Sequence, residues 1–221
     1  ILTAASCLLN ANFEVINPIW FKVIAGDVFF SQESARRVER GVSRIFIHPN
    51  FNSFTGENNV AVLRLDQPLP IPHNTIETAL RQTRIVRNNI PCQLVAFGRQ
   101  SNVTVAWRPR QVVLTQNTLD RSTCTVDTSI HANRIAETQM CVVSVAGGTP
   151  CAGNLGSGLY CNGFLTGVLS AGITCTTVPS VYQQVRAFNP WIEEQFVRRD
   201  LGNEAGTIPF SVQGLPRRTR N

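Results

Sequence analysis

Lysine is nearly missing from this chain. Lys22 is the only one, so 19 of the 20 basic residues are arginine. Long apolar runs are missing too. Nothing approaches the roughly 18 consecutive apolar residues of a membrane-spanning helix, which excludes a helical anchor within these residues. The opening stretch "ILTAASCLLNANFEVINPIW" has no basic start followed by a clean apolar block, so no signal peptide is visible in it. No pair of cysteines has the close spacing of a zinc ribbon or finger, and neither a metal nor any other cofactor is expected. Internal repeats, low-complexity tracts and motifs for specific nucleic-acid recognition are also absent.

What is present points outside the cell. Seven cysteines, at 7, 92, 124, 141, 151, 161 and 175, fit a disulfide framework in an oxidising compartment. The tripeptide "NVT" makes Asn102 a candidate glycosylation acceptor. Localisation is therefore expected to be secreted and extracellular. The formal charge of +6 is carried by arginine, whose planar fork matches carboxylate, sulfate and phosphate groups. Clusters occur at Arg36/Arg37/Arg40, Arg81/Arg84/Arg87, Arg108/Arg110, Arg198/Arg199 and Arg217/Arg218/Arg220. A heparin-like or other polyanion is one class of partner they admit, with Arg198, Arg199, Arg217, Arg218 and Arg220 the candidates.

Short apolar and β-branched runs recur between turn signals: "FKVIAGDVFF", "GVSRIFIHP", "NVAVLRLDQPLP", "CQLVAFG", "RQVVLTQ", "QMCVVSV", "FLTGVLSAG" and "SVYQQVRAF". Their length and spacing predict an all-β protein of the barrel or sandwich kind. One helix is expected over 189–199, capped by Asn189, with Pro190 in its first turn and Trp191, Ile192 and Phe196 on its buried face. Residues 1–80 are expected to form one β half and 91–188 a second, joined by 81–90. Residues 200–221, rich in Gly, Pro and Arg, read as a flexible tail.

Taken in order, several stretches resemble the chymotrypsin-like (S1) serine protease family. "LTAASC" is similar to the block that ends in the base histidine and a cysteine. "VSRIFIHPNFN" is similar to the strand and loop that follow, and "NNVAVLRLDQPL" to the block of the orienting aspartate. "CQLVAFG" resembles the opening of the second barrel, "CAGNLGSGLYC" the nucleophile block, "LTGVLSAGITC" the specificity strand, and "PSVYQQVRAFNPWIEEQ" the last strand and terminal helix. The resemblance reaches to about residue 197, gives a domain of residues 1–199, and implies two six-stranded antiparallel Greek-key barrels with a C-terminal α-helix. It also implies the disulfides Cys92–Cys161, Cys124–Cys141 and Cys151–Cys175. Cys7 is left over. Its partner in the family lies upstream, so the first barrel is expected to be N-terminally incomplete; a free thiol is the alternative reading of Cys7.

Acyl transfer in this family needs a hydroxyl nucleophile, an imidazole to take its proton and a carboxylate to hold the imidazole. By the resemblance, Ser6 stands at the base, Asn59 at the orienting acid and Leu155 at the nucleophile, so no catalytic residue is expected. Gly153 and Leu155 would form a vestigial oxyanion hole, and Thr149, Ser170, Ala171, Gly172 and Ser180 a vestigial pocket, with Ser180 narrowing its entrance. Asn154 occupies the place of the aspartate that pairs with the activated amino terminus. No substitute is evident. His48, His73 and His131 lie in turns or loops with surface roles expected, Ser157 is a small turn residue, and Glu57 and Asp66 have no imidazole to orient. The expected function is that of a secreted, non-catalytic serine protease homologue. It would bind extracellular proteins such as proteases or their substrates in a proteolytic or immune cascade. Two alternatives remain: an azurocidin-like, arginine-rich binder of anionic glycans or microbial surfaces, and an active endopeptidase by family resemblance.

Overall fold

Along residues 112–119 the side chains of Val112, Leu114, Gln116 and Thr118 are buried while those between them are not, the period-two pattern of a strand with one face on a core. In the computed structural model this strand belongs to a closed six-stranded barrel. The structure describes residues 1–30, 34–100, 110–124, 135–176 and 178–197. In chain order the strands are β1 (Leu2–Thr3), β2 (Lys22–Ala25), β3 (Val38–Ile47), β4 (Ala61–Leu65), β5 (Pro91–Ala96), β6 (Val112–Leu119), β7 (Gln139–Ala146), β8 (Gly158–Cys161), β9 (Phe164–Ala171) and β10 (Ser180–Gln184). One α-helix is present among the described residues, α1 at Val185–Val197.

The closed barrel runs β10-β7-β6-β5-β8-β9 and every pairing in it is antiparallel. Leu94, Leu114, Val142, Leu159, Leu169 and Tyr182 fill its interior. Each fully buried leucine contributes about 1.5–3 kcal/mol. Tyr182 and Gln116 are buried there as a hydrogen-bonded pair, and Gln116 also donates to the hydroxyl of Ser144. Burial pushes the Tyr182 phenol far above its usual range, so it stays a neutral donor.

The first half, expected as an incomplete barrel, is less closed than the second. Among the described residues it is a curled four-stranded sheet, ordered β1-β4-β3-β2. Ala5, Leu8, Val42, Phe51, Ala61 and Leu63 form one apolar core cluster with it. Strand β8 lies within the nucleophile-like block, where no strand was expected. It is joined to β9 by Asn162-Gly163, both with positive φ, which is the Asn-Gly signature of a tight hairpin.

The helix also differs from expectation. It starts at Val185, directly after β10, so "SVYQQVRAF" is a strand for five residues and a helix thereafter. Asn189 does not cap it and Pro190 lies inside it. Val185, Phe188 and Ile192 form one apolar stripe against Ala4, Val60 and Val168, and this contact with both halves outweighs the proline signal. Asn189 instead donates to the Gln82 carbonyl (2.9 Å) and accepts from Arg81 (3.1 Å), pinning the connection to the helix. Trp191 is half-buried; Phe196 is exposed, beneath the Arg81 guanidinium.

Three disulfides cross-link the chain: Cys92–Cys161, Cys124–Cys141 and Cys151–Cys175. The first closes a loop of 69 residues between β5 and β8 and stabilises the fold by roughly 4 kcal/mol in a loop-entropy account. Among the described residues Cys7 has no disulfide partner; it is half-buried, and burial pushes its thiol pKa up.

Candidate functional site

Ser6 lies in a short 3-10 turn, Ala5–Leu8, held at the junction of the two halves by the buried Ala4 and Ala5. Asn59 immediately precedes the buried Val60, and the positive φ of Asn58 turns the chain so that the Asn59 side chain faces inward. The two residues meet there. Asn59 is only 3% exposed; its Oδ1 accepts from the Ser6 N–H (2.8 Å), and its Nδ2 donates to Ser6 Oγ (3.0 Å) and to Ser170 Oγ on β9 (3.1 Å).

The network continues across the junction. Gln183 Nε2 on β10 donates to Ser170 Oγ (3.0 Å) and to the Gly56 carbonyl (2.8 Å), which also accepts from Gln139 Nε2 on β7 (3.0 Å). Gln183 Oε1 is buried without a partner among the described residues. Every side chain here is an amide or a hydroxyl. The cluster joins the two halves but holds no group that changes charge near neutral pH. Gln139 and Gln183 were not singled out in the sequence, although a glutamine at an inward strand position is a signal that something buried needs its hydrogen bonds.

The turn bearing Leu155 approaches the same junction from the closed barrel. It is built by the Asn154 N–H on the Cys151 carbonyl and the Ser157 N–H on the Asn154 carbonyl, and Gly153 and Gly156 have positive φ. A Cβ on Gly156 would lie 2.3 Å from Thr3 Oγ1, 3.2 Å from Ala4 N and 3.4 Å from Cys7 Sγ, so only glycine lets this turn sit against the Ser6 segment. The Leu155 side chain packs on the apolar core of the barrel. Among the described residues the N–H groups of Gly153 and Leu155 have no hydrogen-bond partner. Leu155 itself has no atom that can attack a carbonyl carbon.

Asn154 is fully buried. Its Oδ1 accepts from the Gly98 N–H (2.8 Å) and its Nδ2 donates to the Arg99 carbonyl (2.6 Å). Of the pocket residues, Ser180 is buried and donates to the Gly172 carbonyl (2.8 Å), and a Cβ on Gly172 would lie 2.7 Å from Ser180 Cα. These two positions are therefore in direct contact. Ala171 is buried against Ile135 and Val181, and Thr149 bonds through its N–H to the Gln100 carbonyl (3.0 Å).

His48 and His73 stand elsewhere. His48 is not simply a surface residue: its half-buried ring meets Phe188 and Trp191 of α1 edge-on, at 5.3 and 5.0 Å, and burial lowers its pKa. His73 accepts from the Thr75 N–H in its own turn. Members of two of the expected arginine clusters are engaged within the fold. Arg37 pairs with Glu39, Arg40 donates to the Pro68 and Glu39 carbonyls, and Arg81 pairs with Glu193. His131, Asn102, Arg108, Arg198, Arg199, Arg217, Arg218 and Arg220 lie outside the described residues, as does the tail 200–221.

The profile of the Trypsin family matches residues 1–192. Inactive CLIP domain-containing serine protease A3 of Aedes aegypti is 29% identical over 181 residues, covering 75% of this chain and 38% of that relative. Chymotrypsin-like elastase family member 1 of Bos taurus is 28% identical over 204 residues, covering 87% of this chain and 73% of the relative. Kallikrein-15 of Homo sapiens is 30% identical over 211 residues, covering 86% and 82%.

Proposed function

The chain belongs to the trypsin family of serine proteases, and we propose that it is a secreted member that binds extracellular proteins in a proteolytic or immune cascade instead of cutting them. One observation carries this reading. The side chain at the position matching the family's orienting acid, Asn59, is a buried neutral amide that donates to the hydroxyl of Ser6, at the position matching the base. An amide offering its N–H in that direction cannot hold an imidazolium, and Ser6 has no imidazole to hold. Leu155, at the position matching the nucleophile, contributes to packing. Three disulfides and the extracellular setting of such frameworks support secretion. The name of the Aedes relative supports a non-catalytic member within this family. Loops on a disulfide-braced β scaffold then serve as a binding surface.

The test is a serine-directed fluorophosphonate probe, applied to the chain and to Leu155→Ser. Neither is expected to be labelled, because base and orienting acid are still missing from the variant. Labelling of the parent chain, or turnover of a peptide ester by Leu155→Ser above a blank, would overturn the reading.

A further inference from the structure

The connection between the two β halves, the end of β6 and the start of α1 enclose a cleft of about 510 Å³, a size usual for ligand sites. None of Ser6, Asn59, Leu155, Thr149 or Ser180 lines it. Three arginines do: Arg84 from the connection, Arg121 from the turn after β6, and Arg186 from the first turn of α1. Arg84 and Arg121 are exposed, and among the described residues neither guanidinium makes a hydrogen bond. Arg186 uses only its Nε, on Gln184 Oε1 (3.0 Å), which leaves the outer edge of its fork for a ligand.

Two carboxylates share the cleft. Asp120 accepts from Asn88 (2.8 Å) and from the Ser122 N–H (2.8 Å); its hydrogen bonds with Ser122 and Asn88 and the nearby Arg121 charge hold its carboxyl below the usual range, and Glu137 is exposed. Beside Arg84, Ile85 is 75% exposed, an aliphatic side chain set among charges.

We propose that this cleft docks an acidic, extended segment of a partner protein, with its carboxylates on Arg84, Arg121 and Arg186 and an aliphatic side chain against Ile85. Charge complementarity selects the class of occupant. Three arginine forks outnumber the two carboxylates and match side-chain carboxylates in bidentate geometry. A uniformly sulfated glycan would meet the arginines too, but would have no aliphatic group to place on Ile85. A peptide alternating acidic and aliphatic residues uses both features. The proposal does not depend on loss of catalysis, since an active enzyme would be served equally by such a cleft.

The experiment measures binding of a fluorescein-labelled Glu-Glu-Leu-Glu-Asp-Leu peptide to the full chain by fluorescence anisotropy, with a Gln-Gln-Leu-Gln-Asn-Leu peptide and a heparin hexasaccharide alongside. The acidic peptide is expected to bind and the neutral one not. Replacing all three arginines by glutamine is expected to weaken binding about tenfold or more. Arg84→Gln alone, on an exposed residue with no hydrogen bond to lose, is expected to weaken it in the same direction without altering thermal stability. Ile85→Ser is expected to weaken the peptide and leave heparin unaffected. No binding of the acidic peptide to the parent chain, or binding indifferent to the three arginines, would overturn the proposal. Arginine-dependent heparin binding with no effect of Ile85→Ser on the peptide would also overturn it and assign the cleft to glycans.

Discussion

Consider Asn154→Asp, the substitution that installs the residue the family resemblance places beside the nucleophile. Asn154 is fully buried, accepts one backbone N–H from Gly98 and donates to the Arg99 carbonyl at 2.6 Å. An ionised aspartate would keep the first bond and turn the second into two acceptors facing each other. The protonated acid keeps both, because its O–H can donate to Arg99. The folded state therefore retains the proton, and the carboxyl pKa is raised above its unfolded value of about 3.9. The sign follows from linkage. Below about pH 3.9 both states are protonated and the variant matches the parent. As pH rises, the unfolded chain ionises first and the variant loses about 1.4 kcal/mol per pH unit until the folded pKa is reached. If the carboxyl stays neutral to pH 7, the loss amounts to about 4 kcal/mol, or roughly 8–16 °C in Tm for a chain of this size. Guanidinium denaturation of parent and variant, disulfides intact, at pH 4 and pH 7 measures it. A destabilisation equal at the two pH values, or a variant more stable at pH 7, would refute the reasoning, since it would mean that a cation is available to the buried carboxylate.

Other outcomes follow from the same contacts. Asn59→Ala removes three hydrogen bonds at the junction of the two halves and is expected to cost about 2–4 kcal/mol in chemical denaturation; a loss below about 1 kcal/mol would show the network to be incidental. Gly98→Ala places a Cβ 2.3 Å from Asn154 Oδ1 and 2.6 Å from the Gly153 carbonyl carbon, neither of which can give way, so a loss of about 1–3 kcal/mol is expected by the same assay. Deleting residues 215–221 removes Arg217, Arg218 and Arg220 and is expected to lower the salt needed to elute the chain from heparin; unchanged elution would take those arginines out of any polyanion contact.

Much of the architecture was legible because its signals are local. Of the ten strands among the described residues, seven, β3 to β7, β9 and β10, coincide with alternating or continuous apolar runs, and β2 lies inside "FKVIAGDVFF". Strand β8 escaped notice because four residues between a glycine-rich turn and a hairpin carry too little periodicity, although Asn162-Gly163 marked the hairpin. Asn189-Pro190 is a strong local start signal, four residues past the actual start of α1 at Val185. The stripe of Val185, Phe188 and Ile192 that overrides it acquires meaning only once Val60 and Val168 are known to face it. Phe196 was assigned to the core on helical spacing alone, and the fold leaves it outside under Arg81.

The amino-acid sequence by itself determined the class of fold, the family and the chemistry on offer at Ser6, Asn59 and Leu155, because residue identity decides which atoms can titrate, attack or donate. Tertiary structure decided how those residues are used. Only pairing across 53 positions brings Asn59 onto Ser6, and only across 111 positions onto Ser170, to make a neutral bridge between the halves. Only folding separates arginines held by Glu39 or Glu193 from those that open onto the cleft. Composition counts charges; the partner each charge meets depends on contacts between segments remote in sequence, and no local pattern encodes those.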